Sequence, residues 1–215
     1  MLHVEVSRIT ADPHRLDDAI SYLTSEVRPA MERQPGSLGT SLLVAPEAGA
    51  AAFESFWASD GALMDSGDVI AASAGEAARR AGGTVTGERY AVLVFEHETP
   101  LRGGQGVRVT TMTVKPSLLS GAEPSLLPGV EDAIAWYGDT AVPRLADAGG
   151  FCAALLYADR ASGRLVSETV WQDRRALAAS RSTATAGEAA AAAELNGVID
   201  TSGEYRLVFS SARPA

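Results

Sequence analysis

The chain has one cysteine, Cys152, and only three histidines, His3, His14 and His97. A lone cysteine excludes an intramolecular disulfide and fits a cytoplasmic location. Three scattered histidines and one thiol supply no visible ligand set for a haem iron or another metal. Basic residues are also short, 18 against 27 acidic, for a net charge of −9. That balance argues against nucleic acid or an anionic membrane as partner. Arg174, Arg175 and Arg181 form the one basic cluster worth naming, and it reads as a solvated helix face. No apolar run approaches the roughly 20 residues needed to span a bilayer. The opening Met-Leu-His-Val-Glu-Val lacks the basic-then-apolar order of a signal peptide. A P-loop, a Rossmann glycine pattern, a Ser-His-Asp order and zinc spacing are all missing. What remains is ordinary globular material, with 46% hydrophobic and 21% charged residues over 215 positions.

What the chain does contain is itself, twice. Residues 18–66 fall on 132–180 at an offset of 114 without a gap, with twelve identities. They include Pro29/Pro143, Gly36/Gly150, Glu54/Glu168, Ala62/Ala176 and Trp57/Trp171, the last pair drawn from only three tryptophans.

Each copy opens with an alternating strand, Val4-Val6-Arg8 against His3-Glu5-Ser7-Ile9, then Val107-Val109-Thr111 against Arg108-Thr110-Met112. Asp12-Pro13 signals a helix start. The apolar stripe Leu16, Ile20, Leu23, Val27, Met31 returns as Val130, Ile134, Tyr137, Ala141, Leu145. Pro29 and Pro143 sit late in these helices and predict a shared kink, and Pro35-Gly36 and Gly149-Gly150 predict their ends. Two strands follow in each copy, at 38–44 and 53–57, then at 151–158 and 165–171. An alanine-rich helix comes next, over 60–81 and 173–195, and closing strands at 90–96 and 205–210. The order strand–helix–strand–strand–helix–strand is the ferredoxin-like one. The expected domains are repeat 1 over 1–98, a glycine-rich linker over 99–106 and repeat 2 over 107–215. Repeat 2 carries about eleven extra residues around Ser117–Gly129, read as a surface excursion that buries its own leucines (Leu118, Leu119, Leu126, Leu127) or as a flap.

The Pro-Gly turn after helix one, the Glu-x-x-Trp strand (Glu54 and Trp57; Glu168 and Trp171) and the acidic Ala-Leu helix start after it resemble the antibiotic biosynthesis monooxygenase branch of the dimeric α+β-barrel superfamily. The resemblance covers nearly the whole chain, once per copy. It implies an α+β fold in which two ferredoxin-like βαββαβ repeats form one pseudo-dimeric α+β barrel, with helices outside and a ligand pocket between helices and sheet. Pairing has a general cause, since a sheet with helices on one face must bury the other. A fused tandem implies either a monomeric pseudo-dimer or a homodimer.

The resemblance also implies chemistry. Family oxygenases are either cofactor-free, acting on aromatic polyketides or quinols, or haem-degrading, with a strand-one Asn and a helix-two His. Ser7 and Thr110 stand where that Asn would be, and helix two has no histidine, so haem degradation is not expected. The expected partner is a small apolar or aromatic molecule, with no cofactor. Such a protein is either a cofactor-independent monooxygenase or a non-catalytic ligand-binding or stress-associated barrel.

Candidate ligand-binding residues are Ser7, Tyr22, Trp57, Arg108, Thr110 and Trp171. Trp57 and Trp171 read equally as pocket lining or as core aromatics. By strand parity, tryptophans on the helix side put Glu54 and Glu168 on the opposite face, where each needs a partner, Arg8 being one candidate. Ser7 and Thr110 are either substrate-positioning hydroxyls or groups satisfied by neighbours. Glu5 and Arg108 share one repeat position with opposite charges: either both face their pockets and the two halves have diverged, or they have a solvent-facing or pairing role. Tyr22, matched to Trp136, either caps a pocket mouth or packs. His3 reads as exposed and Cys152 as a buried thiol rather than a nucleophile.

Overall fold

A computed structural model describes residues 1–114 and 128–213. The four leucines of the expected excursion lie outside the described residues. The described residues form eight strands: β1 (His3–Thr10), β2 (Ser37–Ala45), β3 (Ala50–Trp57), β4 (Thr84–His97), β5 (Gly106–Val114), β6 (Phe151–Asp159), β7 (Arg164–Trp171) and β8 (Gly197–Ser210). Antiparallel ladders join β1 to β3 and β3 to β2 in the first repeat, and β5 to β7 and β7 to β6 in the second. Helices α1 (Leu16–Tyr22), α2 (Arg28–Glu32), α3 (Asp60–Asp65) and α4 (Gly67–Arg80) belong to the first repeat. Helices α5 (Pro128–Trp136), α6 (Val142–Ala146), α7 (Arg174–Ala179) and α8 (Arg181–Glu194) belong to the second. Two compact units result, residues 1–90, 102–104 and 205–215 in one, 91–101 and 105–204 in the other. Both are α+β, and no described helix is long and apolar enough to cross a membrane.

Period-two alternation sorts the strand residues of each unit into two faces. In the first, Ile9, Leu42, Val44, Phe53 and Trp57 meet Leu16, Leu23, Val27, Met31 and Ile70 of the helices in one core. In the second, Met112, Leu156, Leu165 and Trp171 meet Val130, Ala133, Tyr137 and Leu177. Glu54 and Glu168 occupy the opposite face, paired in register with Val6 and Val109. Both are buried. Glu168 accepts a hydrogen bond from the Tyr157 hydroxyl at 3.3 Å. Arg8 shares the face of Glu54, and its Nε donates to Glu88 at 2.9 Å.

The proline kink expected of the first helix takes a specific form. Both repeats widen into a π-helical turn just before the proline, Leu23–Val27 before Pro29 and Tyr137–Ala141 before Pro143. The N–H of Arg28 reaches back five residues to the Leu23 carbonyl, and that of Val142 to Tyr137. Proline has no N–H to give an ordinary turn and its ring crowds the carbonyl four residues earlier, so a wider turn accommodates it.

The glycine pair after these helices has a second shared cause. Gly36 and Gly150 adopt φ of +79° and +87°. A Cβ on either would stand 2.6 Å from the Cβ of Ala62 or Ala176. Both therefore fit only glycine, for conformation and for space.

Three expectations shift. Helix α1 starts at Leu16 rather than at Asp12-Pro13, because the Asp12 carboxylate accepts from the His14 N–H at 2.9 Å and holds a turn there. Each long second helix is two, broken at Ser66 and Ser180. Their first halves are capped by Ser59 and Asp173, which accept from Ala62 and Ala176 N–H. The closing strands are 14 residues each, starting at Thr84 and Gly197. Their first halves are polar and largely exposed, so they carry no alternation to read.

Candidate functional site

A cavity of about 390 Å³ lies between the helices and the sheet of the second repeat. This is within the usual size range of small-molecule sites. Strands β5, β6 and β7 form its floor through Arg108, Thr110, Met112, Leu156, Leu165, Ser167 and Thr169. Helices α5, α6 and α8 and the turn between α5 and α6 close over it with Ala133, Trp136, Tyr137, Leu145, Glu188 and Ala191, among others. The wall is chiefly aliphatic and aromatic, with polar groups at a few places.

The first polar group is Arg108, only 6% exposed. Its guanidinium donates from Nη1 to Ser180 Oγ at 2.9 Å, and from Nη2 to Glu204 Oε1 at 3.0 Å and the Leu177 carbonyl at 3.3 Å. Ser180 is the residue where the long helix breaks, so the break and the arginine seat coincide. Arg181 grips both oxygens of Glu204, its Nε donating to the shared Oε1 at 2.8 Å and its Nη2 to Oε2 at 2.7 Å. The Arg181 hydrogen bonds, helped by Arg108 and opposed by burial, hold the Glu204 carboxyl at about 2.

The second is Glu188, which accepts at 2.8 Å from both Thr110 and Ser202. It is the one carboxylate among the described lining residues. The third is the pair Tyr137–Ser167. The phenol donates to the Leu155 carbonyl at 3.2 Å, and Ser167 Oγ stands 2.9 Å from the phenol oxygen. Burial drives the Tyr137 hydroxyl above its ordinary range, the Ser167 bond opposes this, and the Glu168 charge adds to it. Tyr137 therefore stays a neutral phenol. Among the described residues no group of three His, Cys, Asp or Glu side chains is placed to hold a metal ion.

The six sequence candidates divide between the units. Arg108 and Thr110 line the cavity. Trp171 sits behind it, fully buried, its indole N–H on Thr169 Oγ1 at 3.0 Å. Trp57 is its counterpart in the first unit, fully buried with its N–H on Ser55. Ser7 is buried beside Phe53. Tyr22 is half-buried under the Arg80 guanidinium, 4.1 Å above its ring. Cys152 is a buried thiol at a β-bulge, while the imidazole of His3 is only 21% exposed.

Sequence reasoning missed Glu188, Ser167, Tyr137 as a polar group, and Glu204. Arg181 read as solvated because its partner lies 23 residues away on another element. For Glu204 the signal was available. Glu5 pairs with Arg89 at 2.7 Å in the first unit, and Arg108 with Glu204 in the second, the same two positions with their charges exchanged.

No family model matches the sequence. Two Mycobacterium tuberculosis proteins, uncharacterized proteins Rv2557 and Rv2558, are each 25% identical over 99% of this chain, which covers 90% and 86% of their lengths. Among solved structures, an anthrone oxidase-like protein superposes with a TM-score of 0.63 at 18% identity, over 97% of this chain and 92% of its own. A monooxygenase-like protein from Listeria innocua gives 0.54 at 11%, over 94% and 92%. At such identities the likeness is one of fold, and it spans both repeats of this chain. The chain has the α+β fold of these solved structures, a ferredoxin-like arrangement seen in both of its units.

Proposed function

We propose that the chain takes an aromatic or otherwise apolar small molecule into the cavity of its second repeat and, as a cofactor-independent monooxygenase, oxidises it with dioxygen. The observation that carries the reading is the cavity itself, apolar over most of its wall and supplied with Thr110, Arg108 and Glu188. An apolar body fits the aliphatic wall, and a few placed polar groups set its orientation. For an anthrone the reaction balances without a further reagent: the methylene loses two hydrogens, one oxygen atom becomes the new carbonyl, and the other leaves with those hydrogens as water. Removing the first proton needs a base in reach. Glu188 is the lining carboxylate, and Thr110 and Ser202 fix its Oε1. The carbanion left behind is stabilised as an enolate, and Arg108 is the buried cation on the same floor.

Oxygen uptake with a panel of anthrones and quinols tests this reading. Turnover above buffer is expected, reduced by about a hundredfold in Glu188→Gln. A second reading, ligand binding without catalysis, draws on Thr110 standing at the strand-one position where the resemblance expects Asn. Saturable binding without product favours it, and absence of both binding and uptake refutes the two together.

A further inference from the structure

The first repeat has the same helix–sheet layer as the second, so the residues that make a cavity in one and a packed core in the other can be read position by position. At offset 114, Ser167 stands for Phe53 and Ala184 for Ile70. Register confirms the strand pair, Phe53 opposite Ser7 and Leu42, Ser167 opposite Thr110 and Leu156. Phe53 and Ile70 are 2% and 3% exposed and lie in one core. Ser167 and Ala184 line the cavity. Ser167 sits on a central strand, on the helix face, and is still partly accessible, as a floor residue beneath open volume is. Two exchanges run the other way, Ala51 to Leu165 and Ala81 to Leu195. Those larger side chains line the cavity without closing it.

We propose that Ser167 and Ala184 are specificity-determining residues: they open in the second repeat the space that Phe53 and Ile70 fill in the first, so the chain carries one ligand site rather than two. The proposal rests on the reading of the cavity as a ligand site. A phenylalanine at 167 restores the side chain that the first repeat carries at this register, and it occupies the floor where an aromatic ligand would lie. An isoleucine at 184 enters the same volume from α8. Both changes add apolar atoms to open space, so the fold accepts them, whereas the ligand loses its room.

The test is titration with N-phenyl-1-naphthylamine, a neutral aromatic fluorophore, with calorimetry for stoichiometry and thermal melting for integrity. The wild-type protein is expected to bind one equivalent. Ser167→Phe, Ser167→Leu and Ala184→Ile are each expected to weaken binding about tenfold or more, with melting within about 3 °C of wild type. Two equivalents bound by wild type, or unchanged affinity in the folded Ser167 variants, overturns the proposal while leaving the ligand site intact. Loss of folding in all three variants also overturns it, because open volume accepts added atoms. A wild-type protein that takes up neither the fluorophore nor an anthrone refutes the ligand-site reading itself, and this inference with it.

Discussion

The helix–sheet layers of the two repeats share a scaffold and differ in what fills it. The same tryptophan is buried in each, its indole N–H satisfied two residues back by Ser55 or Thr169. The same glycine turns under the same alanine, and the same proline follows a π-turn. Between these fixed points the first repeat places Phe53, Val27 and Ile70, and the second places Ser167, Ala141 and Ala184. A fold of this kind needs its corners and its turns. It tolerates open volume in the layer between.

Truncations should separate the layers most sharply. Phe53→Ala is expected to cost about 3–5 kcal/mol, the range for a fully buried aromatic. Ser167→Ala, which loses one hydrogen bond to Tyr137 beside open space, is expected to cost about 1 kcal/mol. Equal losses in urea unfolding would erase the contrast. Next in size are the exchanged ion pairs. Arg108→Ala is expected to cost about 2–3 kcal/mol, since it removes charged hydrogen bonds from a buried group. Glu5→Ala breaks a pair whose Arg89 side chain is 43% exposed and should cost under about 1 kcal/mol. A double-mutant cycle on each pair measures the difference.

Acid should act on Glu204 in a defined window. Its carboxyl lies at about 2 in the fold against an ordinary 4.5, so the unfolded chain binds the proton first. The stability it contributes is present above about pH 4.5 and lost as pH falls toward 2. Glu204→Gln should flatten that stretch of the stability–pH curve, and an unchanged slope would dismiss the grip of Arg181. The smallest effect belongs to Tyr22 and Arg80. Arg80→Ala is expected to cost about 0.5–1 kcal/mol through the lost ring contact and the exposed ion pair with Glu76. The second repeat holds Glu194 at that position and Trp136 in place of Tyr22, so Glu194→Ala should leave stability unchanged by the same assay.

Much of the scaffold was legible because repetition doubles every weak signal. The stripe Leu16-Leu23-Val27-Met31 and the Glu54/Trp57 parity could be checked against a second copy within the chain. The polar halves of β4 and β8 were not legible, since exposed strand residues such as Thr84–Arg89 show no apolar period. Arg108 and Thr110 were found as strand residues at unlike repeat positions. Glu188 was hidden by its helix, where an acid among alanines looks solvated until the fold brings Thr110 and Ser202 against it. Ser167 was hidden differently. Its meaning lies in the side chain it lacks, which only its comparison with Phe53 reveals.

The π-turns have a consequence for the orientation of side chains further along. An α-helical residue advances its side chain by about 100° around the axis, so a turn holding one residue more resets the azimuth of all that follows. Were 137–141 wound as an ordinary α-turn with the sequence unchanged, Arg144 and Leu145, which line the cavity, would swing about a quarter-turn away from it. In the first repeat the same rewinding would carry Met31 out of the core. The single extra residue thus acts as a dial, and its setting decides which faces of α2 and α6 look inward.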